Sequence, residues 1–271
     1  MIKRLILLSL VVLLFAPFSS AQLWKTKRLE ATGGVGTSQF YGDIGGYSIG
    51  DNLLGLRDFT FRQTRFVVNG SIRYFITDDF AARFSLSYIM LHADDTRGSN
   101  PERAYIVTSS LIEQAALAEY YFVRNRERNS FSFQTYRGVA RRRLSDFFRS
   151  VDVYALAGLG PAFFKVRGND KFETDLEAFL ALPEQVQEDQ VRKYHRGGTT
   201  FVIPVGVGAK VALDPNILVG VELIGRYGLP DFLDGYKNTE YSRVNDIYHT
   251  FSFTFNYRIR SARNWSPTYR R

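Results

Sequence analysis

Residues 201–213 read Phe201-Val-Ile-Pro-Val-Gly-Val-Gly-Ala-Lys-Val-Ala-Leu213, apolar and small or polar by turns. Asp214-Pro215-Asn216 supplies a tight turn, Ile217–Tyr227 alternates again, and after a polar loop so does Thr250–Ile259. One parity holds Phe201, Ile203, Val205, Val207, Ala209 and Val211, then Val219, Val221 and Leu223, then Phe251, Phe253, Phe255 and Tyr257. The other holds Lys210, then Glu222 and Arg226, then Ser252, Thr254, Asn256 and Arg258. Successive side chains of a strand point to opposite faces. One face here is free of charge and the other gathers it, the pattern of a strand between lipid and a polar interior.

Five more alternating segments precede this stretch. Leu29–Tyr41 places Glu30 opposite an apolar parity of Leu29, Ala31, Gly33 and Val35. Thr64–Phe75 turns Phe66, Val68, Ile72 and Tyr74 one way and Arg65, Asn69, Ser71 and Arg73 the other; Phe80–Leu91 does the same with Arg83, Ser85 and Ser87. Ser110–Phe122 carries Glu113 and Glu119 inward, although Gln114 interrupts its lipid face and Leu111 and Leu117 its inner one. Val151–Phe163 points Asp152 and Tyr154 inward. Eight segments predict an all-β fold, a transmembrane antiparallel up-and-down barrel of eight strands whose lumen is filled by side chains. Ten strands result if Asn129–Tyr136 pairs as well.

The chain starts Met-Ile-Lys3-Arg4, continues apolar to Phe15 and reaches Ser19-Ser20-Ala21, the layout of a secretory signal peptide over residues 1–21, with Gln22 first after cleavage. An uncleaved anchor is the alternative, but the apolar run is short of the ~20 residues of a span. No later stretch is long enough for a membrane helix. Cysteine is absent, so disulfides, a lipoprotein cysteine and thiolate metal sites are excluded. The chain is 15% aromatic, with 22 Gly, 16 Tyr and 23 Phe. That content, with long polar loops, favours a bacterial outer-membrane barrel over a secreted β-sandwich, which would also alternate. The barrel domain is expected over 22–260, with a periplasmic tail over 261–271.

The inward charges are Glu30, Arg65, Arg73, Arg83, Glu113, Glu119, Asp152, Lys210, Glu222, Arg226 and Arg258. An eight-stranded lumen is just wide enough to be filled by side chains, so these charges must pair into a lumenal network. A conducting pore would need about sixteen strands. Short turns at Thr77–Asp79 and Asp214–Asn216 are expected on the periplasmic side. The loops Gly42–Arg62, Ala93–Tyr105, Val166–Thr200 and Leu229–His249 are expected outside. Within the last but one, Glu173–Leu182 and Pro183–Glu188 suit a short amphipathic helix over the barrel mouth.

The exception is a basic insert on the periplasmic side, residues 123–150. It sets Arg124, Arg126, Arg128, Arg137, Arg141, Arg142, Arg143 and Arg149 against only Glu127 and Asp146, which gives +6 of a whole-chain +8. Such a segment either lies solvated near anionic head groups or docks an acidic periplasmic partner. Nucleic acid is not expected in that compartment. The three histidines, His92, His195 and His249, all fall near outer strand ends or in an outer loop, which keeps open an enzyme at the barrel rim acting on lipid or peptide. Against it, no carboxylate adjoins His195, and Gly-Xaa-Ser-Xaa-Gly is missing. No cofactor or metal is implied. A stand-alone barrel that binds a ligand or surface partner through its outer loops is a further alternative.

Tyr41-Gly42-Asp43-Ile44, then Ser109, Glu113, Glu119, Tyr120, Tyr121 and Phe122, then Ile203–Lys210, Gly220-Val-Glu222, Arg226, Asp231–Tyr236 and Asn245-Asp246-Ile247-Tyr248 occur in this order. Together they resemble the PorG-like outer-membrane barrels associated with the type IX secretion system. The resemblance implies a non-catalytic barrel that anchors a periplasmic PorK–PorN ring of lipoproteins and supports protein export.

Overall fold

Each alternating segment forms a strand in the computed structural model, which describes residues 28–45, 61–97, 101–124, 151–213, 216–229, 232–240 and 245–259. The barrel strands are β1 (Leu29–Tyr41), β2 (Arg65–Phe75), β3 (Phe80–Asp94), β4 (Ile106–Val123), β5 (Val151–Gly168), β7 (Gly197–Ala212), β8 (Ile217–Gly228) and β10 (Ile247–Ile259). Between β5 and β7 lie α1 (Asp170–Leu180), α2 (Glu184–Asp189) and the short β6 (Arg192–Tyr194). β6 pairs with β9 (Tyr236–Asn238) as a separate two-stranded ribbon. The eight long strands close in the order β1-β10-β8-β7-β5-β4-β3-β2, each antiparallel to both neighbours. The ring closes with eight strands, and the alternative tenth-strand segment 129–136 lies outside the described residues. So do the signal segment 1–21 and the tail 261–271.

One end of the barrel carries the tight connections. Between β2 and β3 the Ile76 amide donates to the Phe80 carbonyl at 2.9 Å, and the Thr77 hydroxyl accepts from the Phe80 amide at 3.0 Å. Between β7 and β8 Leu213 N–H reaches the Ile217 carbonyl at 2.9 Å. The link from β4 to β5 leaves from this same end, since Tyr121 N–H bonds to Asp79 O at 2.8 Å. The β1–β2, β3–β4, β5–β7 and β8–β10 connections leave from the other end.

The faces follow the parities read from the sequence. Outward side chains such as Phe84, Phe253 and Val205 are exposed, while Glu30, Arg73, Glu119, Lys210 and Glu222 on the opposite parity are buried. The glycine of Gly206-Val-Gly208 makes room inside: a Cβ on Gly208 would come within 2.4 Å of the Tyr154 ring. The expected faces hold even where the alternation is broken. Gln114 does face out, and Leu111 and Leu117 do face in.

Several strands run further toward the loop end than their alternation foretells. β3 continues to Asp94 rather than Leu91, β4 begins at Ile106 rather than Ser110, β5 reaches Gly168 rather than Phe163, and β7 begins at Gly197 rather than Phe201. The physical reason is an inversion of polarity. In these extensions most inward residues are apolar (Ala93, Val107, Phe164, Val166), with Ser109 and Thr200 the buried exceptions, and most outward ones are polar (His92, Thr108, Lys165, Arg167). A rule that expects apolar side chains outside stops reading strand where the wall leaves the hydrocarbon.

Val221 sits outward between Ala209 and Phe253 on neighbouring strands. Val221→Arg is expected to block folding into phospholipid vesicles, because Arg on the lipid face costs ~2–4 kcal/mol at midplane and much less near the interfaces. His92→Arg, outward but in the polar extension, should fold normally. Heat-dependent mobility on gels reads both, and equal defects would refute the assigned membrane level.

Candidate functional site

The lumen is built in two layers. Toward the short-turn end, every barrel strand contributes to one polar network. Arg73 on β2 is the hub. Its guanidinium donates to Glu30 on β1, and to Glu119 on β4 through both Nε and Nη2, the latter at 3.0 Å. It lies 3.6 Å from Glu222 on β8 and bonds Asn256 of β10 at 3.3 Å. Arg83 on β3 grips Glu222 with both Nη atoms, at 2.6 and 3.0 Å. Lys210 on β7 donates to Glu30 at 2.5 Å, and Tyr154 on β5 donates to Glu222. Arg258 lies 3.7 Å from Glu30 and 3.6 Å from Asp152. Four cations thus face four carboxylates. Charges removed from water are tolerated only when paired and hydrogen-bonded in this way.

Aromatic rings floor this layer. Phe75, Tyr121 and Tyr154 stand 5.3, 5.2 and 5.7 Å from the Lys210 ammonium. Arg124 packs over Phe75 at 4.5 Å and Tyr121 at 5.4 Å. Cations over ring faces gain electrostatically, most where water is excluded. A smaller pair lies further along the lumen. Arg226 meets Glu113 at 2.7 Å, and Tyr248 O–H donates to the same carboxylate at 2.8 Å.

Beyond that pair the interior turns apolar. Phe40, Val67, Ile89, Leu91, Leu111, Phe164 and Val202 line the wall, and α1 lays Phe172, Leu176 and Phe179 onto them. Asn169 caps α1 by accepting from Phe172 N–H at 3.2 Å. Over the mouth, loop carboxylates are consumed by backbone amides. Asp234 accepts from Ile44 and Tyr236, both at 2.9 Å; Asp246 accepts from Leu233 at 2.6 Å; Asp95 accepts from Gly45 at 2.9 Å and from Arg103 at 2.6 and 2.8 Å. Gly235, at φ +78°, takes the left-handed turn that lets Asp234 reach both amides. Tyr105 donates to Asp175 on α1 at 2.5 Å and lies 2.9 Å from Tyr194 O–H. Burial first, and that bond to Asp175 second, push the Tyr105 phenol well above its ordinary range, so it stays a donor.

Ten of the eleven inward charges expected from the sequence take part in these two clusters. Arg65 is the correction. It sits at the loop end of β2 and donates to the carbonyls of Arg62 and Thr64, at 2.8 and 2.9 Å; among the described residues no carboxylate forms an ion pair with it there. Of the expected docking arginines, Arg124 belongs to the barrel floor. Arg126, Arg128, Arg137, Arg141, Arg142, Arg143 and Arg149 lie outside the described residues.

The three histidines are not brought together. His92 on β3 hydrogen-bonds Thr108 at 3.0 Å, His249 on β10 meets Tyr41 edge-on at 5.2 Å, and His195 packs on Phe232 at 3.9 Å. The cap of Asp95, Arg103, Tyr105, Asp234 and Asp246 is what the charge pattern missed. Its only sequence signal was the resemblance, whose Asp43-Ile44, Leu233–Tyr236 and Asp246–Tyr248 residues converge there.

A closed, filled ring with an apolar outer band defines a small outer-membrane β-barrel. The chain belongs to the outer membrane protein beta-barrel domain family, whose model matches residues 6–258. None of the curated proteins matches it. Among solved structures, the neisserial surface protein A (NspA) is 13% identical, with a TM-score of 0.45, covering 85% of this chain and 97% of its own. OprG of Pseudomonas aeruginosa is 9% identical, with a TM-score of 0.40, covering 89% and 100%. Ail of Yersinia pestis is 12% identical, with a TM-score of 0.38, covering 86% and 99%.

Arg73→Met should lower stability by ~3–5 kcal/mol, because Glu30 and Glu119 are then buried facing each other without their shared cation. Replacing both members of the smaller pair, Arg226→Met with Glu113→Leu, should cost less than Glu113→Leu alone, which strands the arginine. Urea titration of the vesicle-embedded barrel ranks these variants. A shift for Arg73→Met no larger than for the loop variant Arg192→Met would remove the hub.

Proposed function

We propose that this barrel is a non-catalytic anchor in a protein secretion apparatus of the type IX kind. It would hold a periplasmic ring of lipoproteins, of the PorK–PorN type, through basic chain outside the barrel wall. The observation that carries the reading is the filled lumen. Paired charges from all eight strands close the short-turn half, and α1 with its apolar partners closes the loop half. A barrel so filled offers no passage for solute, so its work falls to what projects from it.

Outer-membrane barrels keep short turns on the periplasmic side and long loops outside. By that rule the segment between β4 and β5 would enter the periplasm, and the basic-then-apolar residues 1–21 would serve as the chain's export signal. The segment departs from the rule in length and carries eight arginines against two acids. An acidic surface on a ring protein is its natural complement, and such complementarity governs encounter and register more than raw affinity.

Deleting residues 137–149 tests this. The barrel should still insert, with normal heat-dependent mobility. Crosslinked envelopes should lose the ring lipoproteins from the barrel's pull-down, and export of surface proteins should fall with them. Unaltered export by the deleted, inserted barrel would end the docking reading.

A further inference from the structure

The outward faces of the eight barrel strands exclude Lys and Arg throughout, with two exceptions, Lys165 and Arg167, both on β5. Their positions are set by register. Tyr88, Ile112 and Phe163 form one outward rung across β3, β4 and β5. The next rung toward the loops is Met90, Ser110 and Lys165, and the one after it is His92, Thr108 and Arg167. The wall therefore passes from aromatic and aliphatic to hydroxyl and cationic within two rungs. Each rung rises about 7 Å along a strand, and neighbouring strands stand about 4.8 Å apart. Two cations, two hydroxyls and an imidazole thus share a patch on the order of 10 Å across.

Lys165 and Arg167 are exposed, and among the described residues neither is engaged by a carboxylate. The acid nearest in register, Asp94 one rung above His92, is held by the amide and hydroxyl of Thr96, at 2.9 and 2.7 Å. Behind the patch the inward residues are Leu111, Phe164 and Val166 with the hydroxyl of Ser109, so among the described residues the wall offers no inner counter-charge at these rungs. Long cationic side chains at an interface lay their stems on the apolar wall and lift the charge to the head-group level. Long loops of such barrels face outward, so at the loop end that level is taken as the outer leaflet. Its lipid carries phosphates on a sugar headgroup, with acyl chains below that would run over Phe163, Ile112 and Tyr88. Arginine and lysine together are well suited to a phosphate, one as a planar fork and the other as a point charge.

We propose that Lys165 and Arg167, with Ser110, Thr108 and His92 beside them, form a binding site for the phosphorylated headgroup of an outer-leaflet glycolipid, which fixes one lipid on the β3–β5 face. The proposal does not depend on the periplasmic docking role.

Native mass spectrometry of the detergent-purified full chain tests it, with diphosphorylated lipid A as the probe. The wild-type barrel should retain the lipid at least tenfold more than the double variant Lys165→Ser, Arg167→Ser. It should lose that advantage when the probe is dephosphorylated lipid A. A control with the same charge change on the loop ribbon, Arg192→Ser with Lys193→Ser, should retain the lipid as wild type does. Arg167→Lys, which keeps the charge but not the planar fork, should retain more lipid than Arg167→Ser and less than wild type, a ranking that reads the site even if the double variant folds poorly; equal retention by the two single variants would overturn the proposal. Equal retention by the double variant, or by both forms of lipid A, overturns the proposal. Displacement of the lipid by millimolar inorganic phosphate would assign the cations to a free anion and overturn it too.

Discussion

The buried guanidinium of Arg73 is the contact on which the lumen depends. Its side chain is 0% exposed and is met by carboxylates from β1 and β4, with that of β8 close by. A cation so placed is tolerable only while those acids are present, and the acids only while Arg73, Arg83, Lys210 and Arg258 answer them. The network therefore couples strands distant in sequence. Lys210 and Glu30 are 180 positions apart, and Arg83 and Glu222 are 139 apart. Backbone ladders join each strand only to its two neighbours. The charges instead reach across the lumen, and they reward only the closed ring with its register intact. A slip of one residue on any strand would carry its charge out to lipid.

This coupling is why so much of the fold was legible. Lipid forbids charge on one face, and a narrow lumen demands it in pairs on the other, so alternation and charge together specify strand, face and partner set. Glu30, Arg73, Arg83, Glu119, Lys210 and Glu222 could be gathered from parity alone. What parity could not say was which acid meets which base. That depends on shear and on the depth of each residue along its strand. Nor could it place Arg65, which shares the inward parity but lies beyond the polar layer.

The loop half was far less legible, and the cause is chemical. There the wall leaves the hydrocarbon, its inner face is mostly apolar, and the two parities exchange meaning. Leu111 and Leu117 read as flaws in a polar inner face. Leu117 serves with Phe75, Tyr121 and Tyr154 in the lower cluster, whereas Leu111 is the first residue of the apolar layer. Val107, Leu91 and Val166 have no visible purpose until α1 supplies Phe172 and Leu176 to cover them. A helix in a loop announces its own amphipathic face but not the surface that receives it. The cap is harder still, since Asp95, Asp234 and Asp246 are spent on backbone amides and look in sequence like ordinary loop acids.

The two layers also explain each other. A lumen polar along its whole length would need charges paired right up to the mouth, where water competes for every partner. Ending the strand-borne ion pairs of the lumen at Arg226 and Glu113 and filling the next layer mainly with aliphatic and aromatic side chains seals the network from the loop end. The seal needs a lid, and α1 is held as one by the Tyr105–Asp175 bond and the amide-bound aspartates above it. The same inversion turns the outer wall of the extensions polar. That is why two cations can stand on β5 where a lipid-facing strand would reject them. A barrel made solid in this way sets Lys165 and Arg167 outside its wall at one end and joins β4 to β5 through an arginine-rich connection at the other.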